Sequence, residues 1–177
     1  DQKRHSGGCS LQNIPGLQLI RSTPPAVKGG NTWLVDGFSI AEELRSSHLR
    51  AFEFLSTVAL PFSSVTSSDS VLAWHKVITL DDHGRVQQFT YNNDDRAPLT
   101  ELPERFVEEF YEHLPVLLRL TQDPRFSVET CLDEGDMLVI DNHRVLHGRR
   151  AFEGCRELIG GYITHGQLES ALRKRGL

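Results

Sequence analysis

Glu134-Gly135-Asp136-Met137-Leu138-Val139-Ile140-Asp141-Asn142-His143-Arg144-Val145-Leu146-His147-Gly148-Arg149-Arg150 runs from a turn through an apolar core into a polar, cationic end. Gly135-Asp136 reads as the turn, and Met137 to Ile140 as a short buried strand. Two histidines and three arginines follow that strand directly. His143 and His147 stand four apart, as on the helix of a zinc protease. Arg144 occupies the place where that motif has its glutamate, and the preceding run favours a strand, so the helical reading is rejected. The plain alternative for the segment is a solvated turn.

Outward from this stretch, Arg156-Glu157-Leu158-Ile159-Gly160-Gly161-Tyr162-Ile163 is a second strand-like run that opens on an arginine. Upstream, Gly16 to Ile20 and Thr32 to Asp36 read as strands, separated by Ser22-Thr23-Pro24-Pro25 and the turn Lys28-Gly29-Gly30-Asn31. Residues 1 to 14 are polar and read as loop. Ser39 with Glu42 forms a capping box, so a helix is expected from Ser39, and a second from about Ser47 to Leu55. Val58 to Phe62 and Val71 to Leu80 read as strands, and Asp82-His83-Gly84 as a hairpin turn into Val86 to Tyr91. Glu101 to Thr121 carries Phe106, Phe110, Leu114, Leu117 and Leu118 at helical spacing, with Pro115 expected to bend it. Strands from Phe126 to Thr130 and Leu158 to Thr164 and a terminal helix from Gln167 to Arg173 complete the pattern. Many strands with a few outer helices suit a mainly β fold with flanking helices, a double-stranded β-helix or jelly roll; a mixed α+β sandwich fits the count too.

The chain has 177 residues and 38% hydrophobic content, enough for one domain that buries roughly 70% of its extended surface. A net charge of −5 with dispersed basic residues argues against nucleic acid. The basic run Arg173-Lys174-Arg175 reads as a helix end matching its dipole. Cys9, Cys131 and Cys155 are odd in number and lack CxxC spacing, which suggests a reducing compartment without a disulfide framework. No run of about 18 apolar residues is present, so no membrane span is expected. The first residues are neither a signal peptide nor an initiator start.

The strand with its histidine, the turn, and the strand that opens on arginine resemble the iron(II)- and 2-oxoglutarate-dependent oxygenases of the taurine-dioxygenase type. Asp141-Asn142-His143-Arg144-Val145-Leu146-His147-Gly148-Arg149, and Arg156 nine residues after His147, look like the carnitine-synthesis branch, on its trimethyllysine side. The similarity covers nearly the whole chain, taken as the C-terminal portion (residues 1–177) of a longer catalytic domain. It implies hydroxylation of a trimethylammonium amino acid, trimethyllysine or γ-butyrobetaine, with Fe(II), with 2-oxoglutarate as co-substrate and with ascorbate as an accessory reductant. His147 would be the distal iron ligand. Arg156 would grip the far carboxylate of 2-oxoglutarate through a bidentate pair that lysine cannot match. Thr32, in Gly29-Gly30-Asn31-Thr32-Trp33, would lie near that co-substrate, and Arg149 would contact it or the iron's surroundings; the bland readings are a packed strand threonine and a surface cation. Asn92 and Asn93 would meet substrate, although a double Asn commonly just makes a turn. Tyr162 would belong to a cage for the trimethylammonium group, against the plain reading of a half-buried strand tyrosine. A small-molecule substrate, a homodimer, and a mitochondrial location (cytoplasmic if the trimethyllysine reading fails) belong to the same expectation.

The resemblance breaks at one point. The family's other two ligands come from a His-x-Asp motif just before a Pro-Gly-x-Gln strand. Counting back from Pro15-Gly16-Leu17-Gln18 places that motif on His5-Ser6-Gly7, where the histidine stands and the carboxylate is gone. A start unlike the family's true sequence, a relative that has lost iron (a pseudo-oxygenase), and a halogenase-like centre are the three explanations. Strands that such enzymes place before the motif are also absent, so exposed apolar edges and an unstable or oligomer-prone chain are expected.

Overall fold

In the computed structural model, residues 2–23, 28–155 and 157–177 are described. Thirteen strands and four helices alternate along them: β1 (Gln2–His5), β2 (Leu17–Ser22), β3 (Lys28–Gly29), β4 (Thr32–Asp36), α1 (Gly37–Ser47), α2 (Leu49–Thr57), β5 (Ala59–Val65), β6 (Ser70–Lys76), β7 (Ile78–Leu80), β8 (Val86–Phe89), α3 (Glu104–Gln122), β9 (Ser127–Thr130), β10 (Met137–Asp141), β11 (Val145–Arg149), β12 (Phe152–Glu153), β13 (Leu158–Ile163) and α4 (His165–Arg173).

Two antiparallel sheets organise the chain, in the orders β1-β11-β4-β9 and β10-β2-β13. β10 and β11 are neighbours in sequence but belong to different sheets, so residues 142–144 form the crossover between them. That crossover lies within the stretch that opens the sequence analysis. Short pairs β12-β3, β5-β6 and β7-β8 fill the flanks. The main core lies between the four-stranded sheet and the helices. Val35 of β4 and Leu146 of β11 face Ile40, Leu44, Phe52, Leu55, Phe110 and Leu117 there, all buried.

Local chemistry moves several boundaries from their sequence expectation. Helix α1 is capped by Asp36 rather than started by Ser39: the Asp36 carboxylate accepts from the Phe38 and Ser39 amides, and the Ser39 hydroxyl donates to it at 2.9 Å. Asp36 also takes both nitrogens of a bidentate pair from Arg144, at 3.1 and 2.7 Å, which ties the crossover to the start of the helix. Burial pushes the Asp36 carboxyl up, but the bonds from Arg144 and Ser39 outweigh it and hold the group below its ordinary value. Its contribution is therefore complete above pH ~4 and is lost as pH falls through the lowered native value. Asp36→Ala is expected to cost about 1–2 kcal/mol in denaturant unfolding, and Asp36→Asn, which can still cap, clearly less. Equal losses would show that the cap contributes little.

Residues 2–5 form a strand against β11, not loop. Met137 to Ile140 is indeed a strand, but not a buried one: it lies at the edge of the three-stranded sheet, with Met137 58% and Val139 55% exposed. Ile159 of the opposite edge strand is exposed on the same side, so an apolar sheet face is open. The run from Val71 to Leu80 breaks at Val77 into β6 and β7, and α3 starts at Glu104 and continues through Pro115. Helix α4 begins at His165, where Thr164 and Gln167 form a capping box. All three cysteines are free, and burial drives the Cys9 thiol far up. No described helix is long and apolar enough to cross a membrane.

Candidate metal centre

Strand β11 carries His147 into the middle of the four-stranded sheet, and β1 lays His5 directly opposite it. Their rings stand 4.5 Å apart, centroid to centroid, tilted by 48°. His147 is only 7% exposed, and its Nδ1 is buried without a hydrogen-bond partner among the described residues. Burial, reinforced by the neighbouring His5, pushes its pKa down to about 3, so the ring is neutral with lone-pair density to offer. The His5 Nδ1 lies 2.8 Å from the Lys3 carbonyl. An N–H there fixes the tautomer and leaves Nε2 as the free donor. Two imidazoles so placed fit a divalent first-row metal.

Among the described residues, the third donor of a two-histidine, one-carboxylate site is missing. Among the described residues no three of His, Cys, Asp and Glu gather where they could hold a metal ion. At Gly7, two residues after His5, a built Cβ would stand 2.7 Å from the Tyr162 Oη, 3.0 Å from its Cε1 and 3.2 Å from the Gln18 Oε1. Other side chains have taken the space beside Gly7.

The other expected site residues fall into three groups. Thr32 and Arg149 are cross-strand partners on β4 and β11, two positions along from His147 and so on its face of the sheet. Thr32 is buried, while the Arg149 guanidinium stacks 4.7 Å from the Phe152 ring centroid. Asn92 and Asn93 follow Tyr91, whose carbonyl accepts from the Ser6 amide at 2.8 Å, so their loop lies against the end of β1. Within that loop the Asn92 side-chain oxygen accepts from the Asp94 amide and that of Asn93 from the Tyr91 hydroxyl, both at 3.0 Å; these are turn-making contacts. Tyr162 is 52% exposed, with its hydroxyl over Gly7. Arg156 lies outside the described residues.

The structure adds three sets of contacts that were not read from sequence. The Asn142 side chain, 1% exposed, accepts from the Gly7 amide at 2.8 Å and donates to the carbonyls of Gly7 (2.8 Å) and Pro15 (2.9 Å), clamping the segment after His5. The Trp33 ring is held between Arg4 and Arg150, whose guanidinium carbons lie 3.5 and 3.6 Å from its centroid; Glu129 accepts from the indole N–H at 2.7 Å and pairs with Arg150. His143 turns away from the metal pair: its Nε2 lies 3.0 Å from the Ile14 carbonyl, and its ring packs on His165. Only the position of Asn142 inside the crossover offered a sequence signal for any of them.

Solved structures share this arrangement of sheets. A taurine dioxygenase from Burkholderia xenovorans matches over 90% of this chain and 57% of its own, with TM-score 0.70 and 17% identity. The structure of AAD-2 in complex with Mn(II) and N-oxalylglycine matches over 91% and 68%, with TM-score 0.70 and 15% identity. At such identity the likeness speaks for the fold, that of a TauD-type jelly roll. The family model for taurine catabolism dioxygenases, TauD/TfdA, matches residues 1–162, and the chain belongs to that family. Among curated proteins it is 32% identical to the γ-butyrobetaine dioxygenase of Homo sapiens over 176 residues (96% of this chain, 46% of that protein). It is 31% identical to the mitochondrial trimethyllysine dioxygenase of Bos taurus over 187 residues (98% and 42%). The chain thus spans about half the length of the curated relatives it matches.

Proposed function

We propose that the chain is the histidine-bearing part of a 2-oxoglutarate-dependent dioxygenase that hydroxylates a trimethylammonium amino acid, trimethyllysine or γ-butyrobetaine, in carnitine synthesis. The observation that carries this reading is the pairing of His5 with His147 across β1 and β11, which sets two imidazoles side by side in a chain with relatives of both kinds. Ferrous iron with 2-oxoglutarate and dioxygen supplies the oxidising chemistry in such enzymes. The described residues offer that metal two donors, His5 and His147.

The role of this chain's own residues is to bind and orient. Thr32 and Arg149 offer a hydroxyl and a cation on the histidine face for an anionic co-substrate, with Arg156 as the bidentate anchor of its far carboxylate. The aromatic face of Tyr162, with the Asn92–Asn93 loop, would meet a quaternary ammonium substrate. Ascorbate as reductant, a homodimer, and residence in the mitochondrion belong to the same reading. The last follows the trimethyllysine relatives, and a cytoplasmic place follows if the substrate is γ-butyrobetaine.

The closed space at Gly7 favours a second reading, a domain that keeps the fold but has lost productive iron binding. Anaerobic Fe(II) titration in the presence of 2-oxoglutarate separates the two. A weak visible charge-transfer band that disappears in His147→Ala is expected for the first. A folded sample without any band overturns it in favour of the second.

A further inference from the structure

We infer that Tyr162 is the residue that keeps the third coordination position of the histidine pair closed. The inference rests on reading His5 and His147 as a metal pair, and concerns what stands beside them rather than the pair itself.

Two sides of the space at Gly7 differ in how far they can yield. On the backbone side, the Asn142 side chain holds both the amide and the carbonyl of Gly7, at 2.8 Å each, and the neighbouring Ser6 amide donates to Tyr91 at 2.8 Å. Gly7 cannot slide away without breaking buried hydrogen bonds. Its backbone lies outside the left-handed region, so a larger residue there meets no conformational penalty, only a collision. On the opposite side, Tyr162 and Gln18 are cross-strand partners of β13 and β2 and present their side chains together. The Gln18 Oε1 is buried and, among the described residues, without a hydrogen-bond partner.

Tyr162 is the part that can move. It sits on an edge strand, its ring is half exposed, and a Cβ built at the preceding Gly161 would touch nothing. An aspartate at position 7 reaches a metal on the histidines only if this ring leaves. The centre is thus a two-imidazole site closed by a hinged phenol, and its missing carboxylate cannot be restored by one substitution.

The test is Co(II) binding to the metal-free chain by calorimetry, alongside melting temperatures without metal. Gly7→Asp alone is expected to change Co(II) affinity little, and Tyr162→Ala alone not at all. Gly7→Asp with Tyr162→Ala should bind at least roughly tenfold more tightly than Gly7→Asp, the scale on which groups shaping a metal site alter its affinity. The metal-free arm uses Gly7→Ala, which should lower the melting temperature in the presence of Tyr162 and much less beside Tyr162→Ala. Equal affinities for Gly7→Asp with and without the tyrosine, or an unchanged penalty for Gly7→Ala, would overturn the closure. Weakened Co(II) binding in Tyr162→Phe would overturn it in another way, by making the phenol itself a donor. If His147→Ala leaves Co(II) affinity unaltered in every variant, the metal-pair reading fails instead, while the steric cycle still judges Tyr162.

Discussion

Asn142→Ala is expected to destabilise the chain by about 3–5 kcal/mol in denaturant unfolding, at the upper end for a single substitution. The mechanism is unsatisfied backbone rather than lost bulk. The buried amide serves one N–H and two carbonyls, those of Gly7 and Pro15, and its removal strands all three. A buried polar group without a partner costs about 1–3 kcal/mol, and a water entering the space would recover only part of the sum. Asn142→Asp should be no milder: the carboxylate can still accept from Gly7, but it brings negative charge against two carbonyl oxygens that lost their donor. Because Gly7 follows His5 so closely, metal affinity should fall with stability in both variants. A loss under about 1 kcal/mol would mean that the segment after β1 is held by something other than this side chain.

Leu146→Ala is the second large effect expected, about 3–4 kcal/mol, which lowers the melting temperature by roughly 10 °C in a domain of this size. Leu146 is fully buried beneath β11, on the face opposite His147, and belongs to the cluster with Val35, Ile40 and Leu44. Truncation leaves a cavity that close-packed neighbours on a sheet and three helices can only partly fill. Leu146→Met keeps the volume and should cost less than about 1.5 kcal/mol. Equal losses for the two would place the effect in the backbone of β11 rather than in the cavity.

How far the fold could be read from the residues depended on how local its cause was. Strand β4, helices α2 and α3 and the hairpin between β7 and β8 follow from periodicity and turn residues, and lie near where those signals put them. Strand β1 could not be read so: Gln2-Lys3-Arg4-His5 has no apolar alternation, and it becomes a strand because β11 offers a free edge and Trp33 receives Arg4. The apolar run of β10 showed a strand but not its exposure, since periodicity in four residues does not separate a core strand from an edge one. The capping box at Ser39 pointed to the wrong cap, and the approach of Arg144 from a distant crossover shows why Asp36 takes the part. At the candidate site, the loss of a carboxylate at Gly7 was visible in the residues themselves. That Tyr162 fills its place was not, because β13 reaches Gly7 only through its register with β2.

The strand that brings His5 to His147 is the outermost of its sheet, paired on one side only and with a register shift between Gln2 and His5. Outer strands with so few ladder bonds are the first to detach in native-state fluctuations, well below the energy of global unfolding. Opening of β1 alone would separate His5 from His147 and take the pair apart without unfolding the core. A metal held by both imidazoles would favour the paired strand by mass action. The Arg4–Trp33 stack and the Asn142 clamp hold the same segment in place, and both would have to be released for β1 to open.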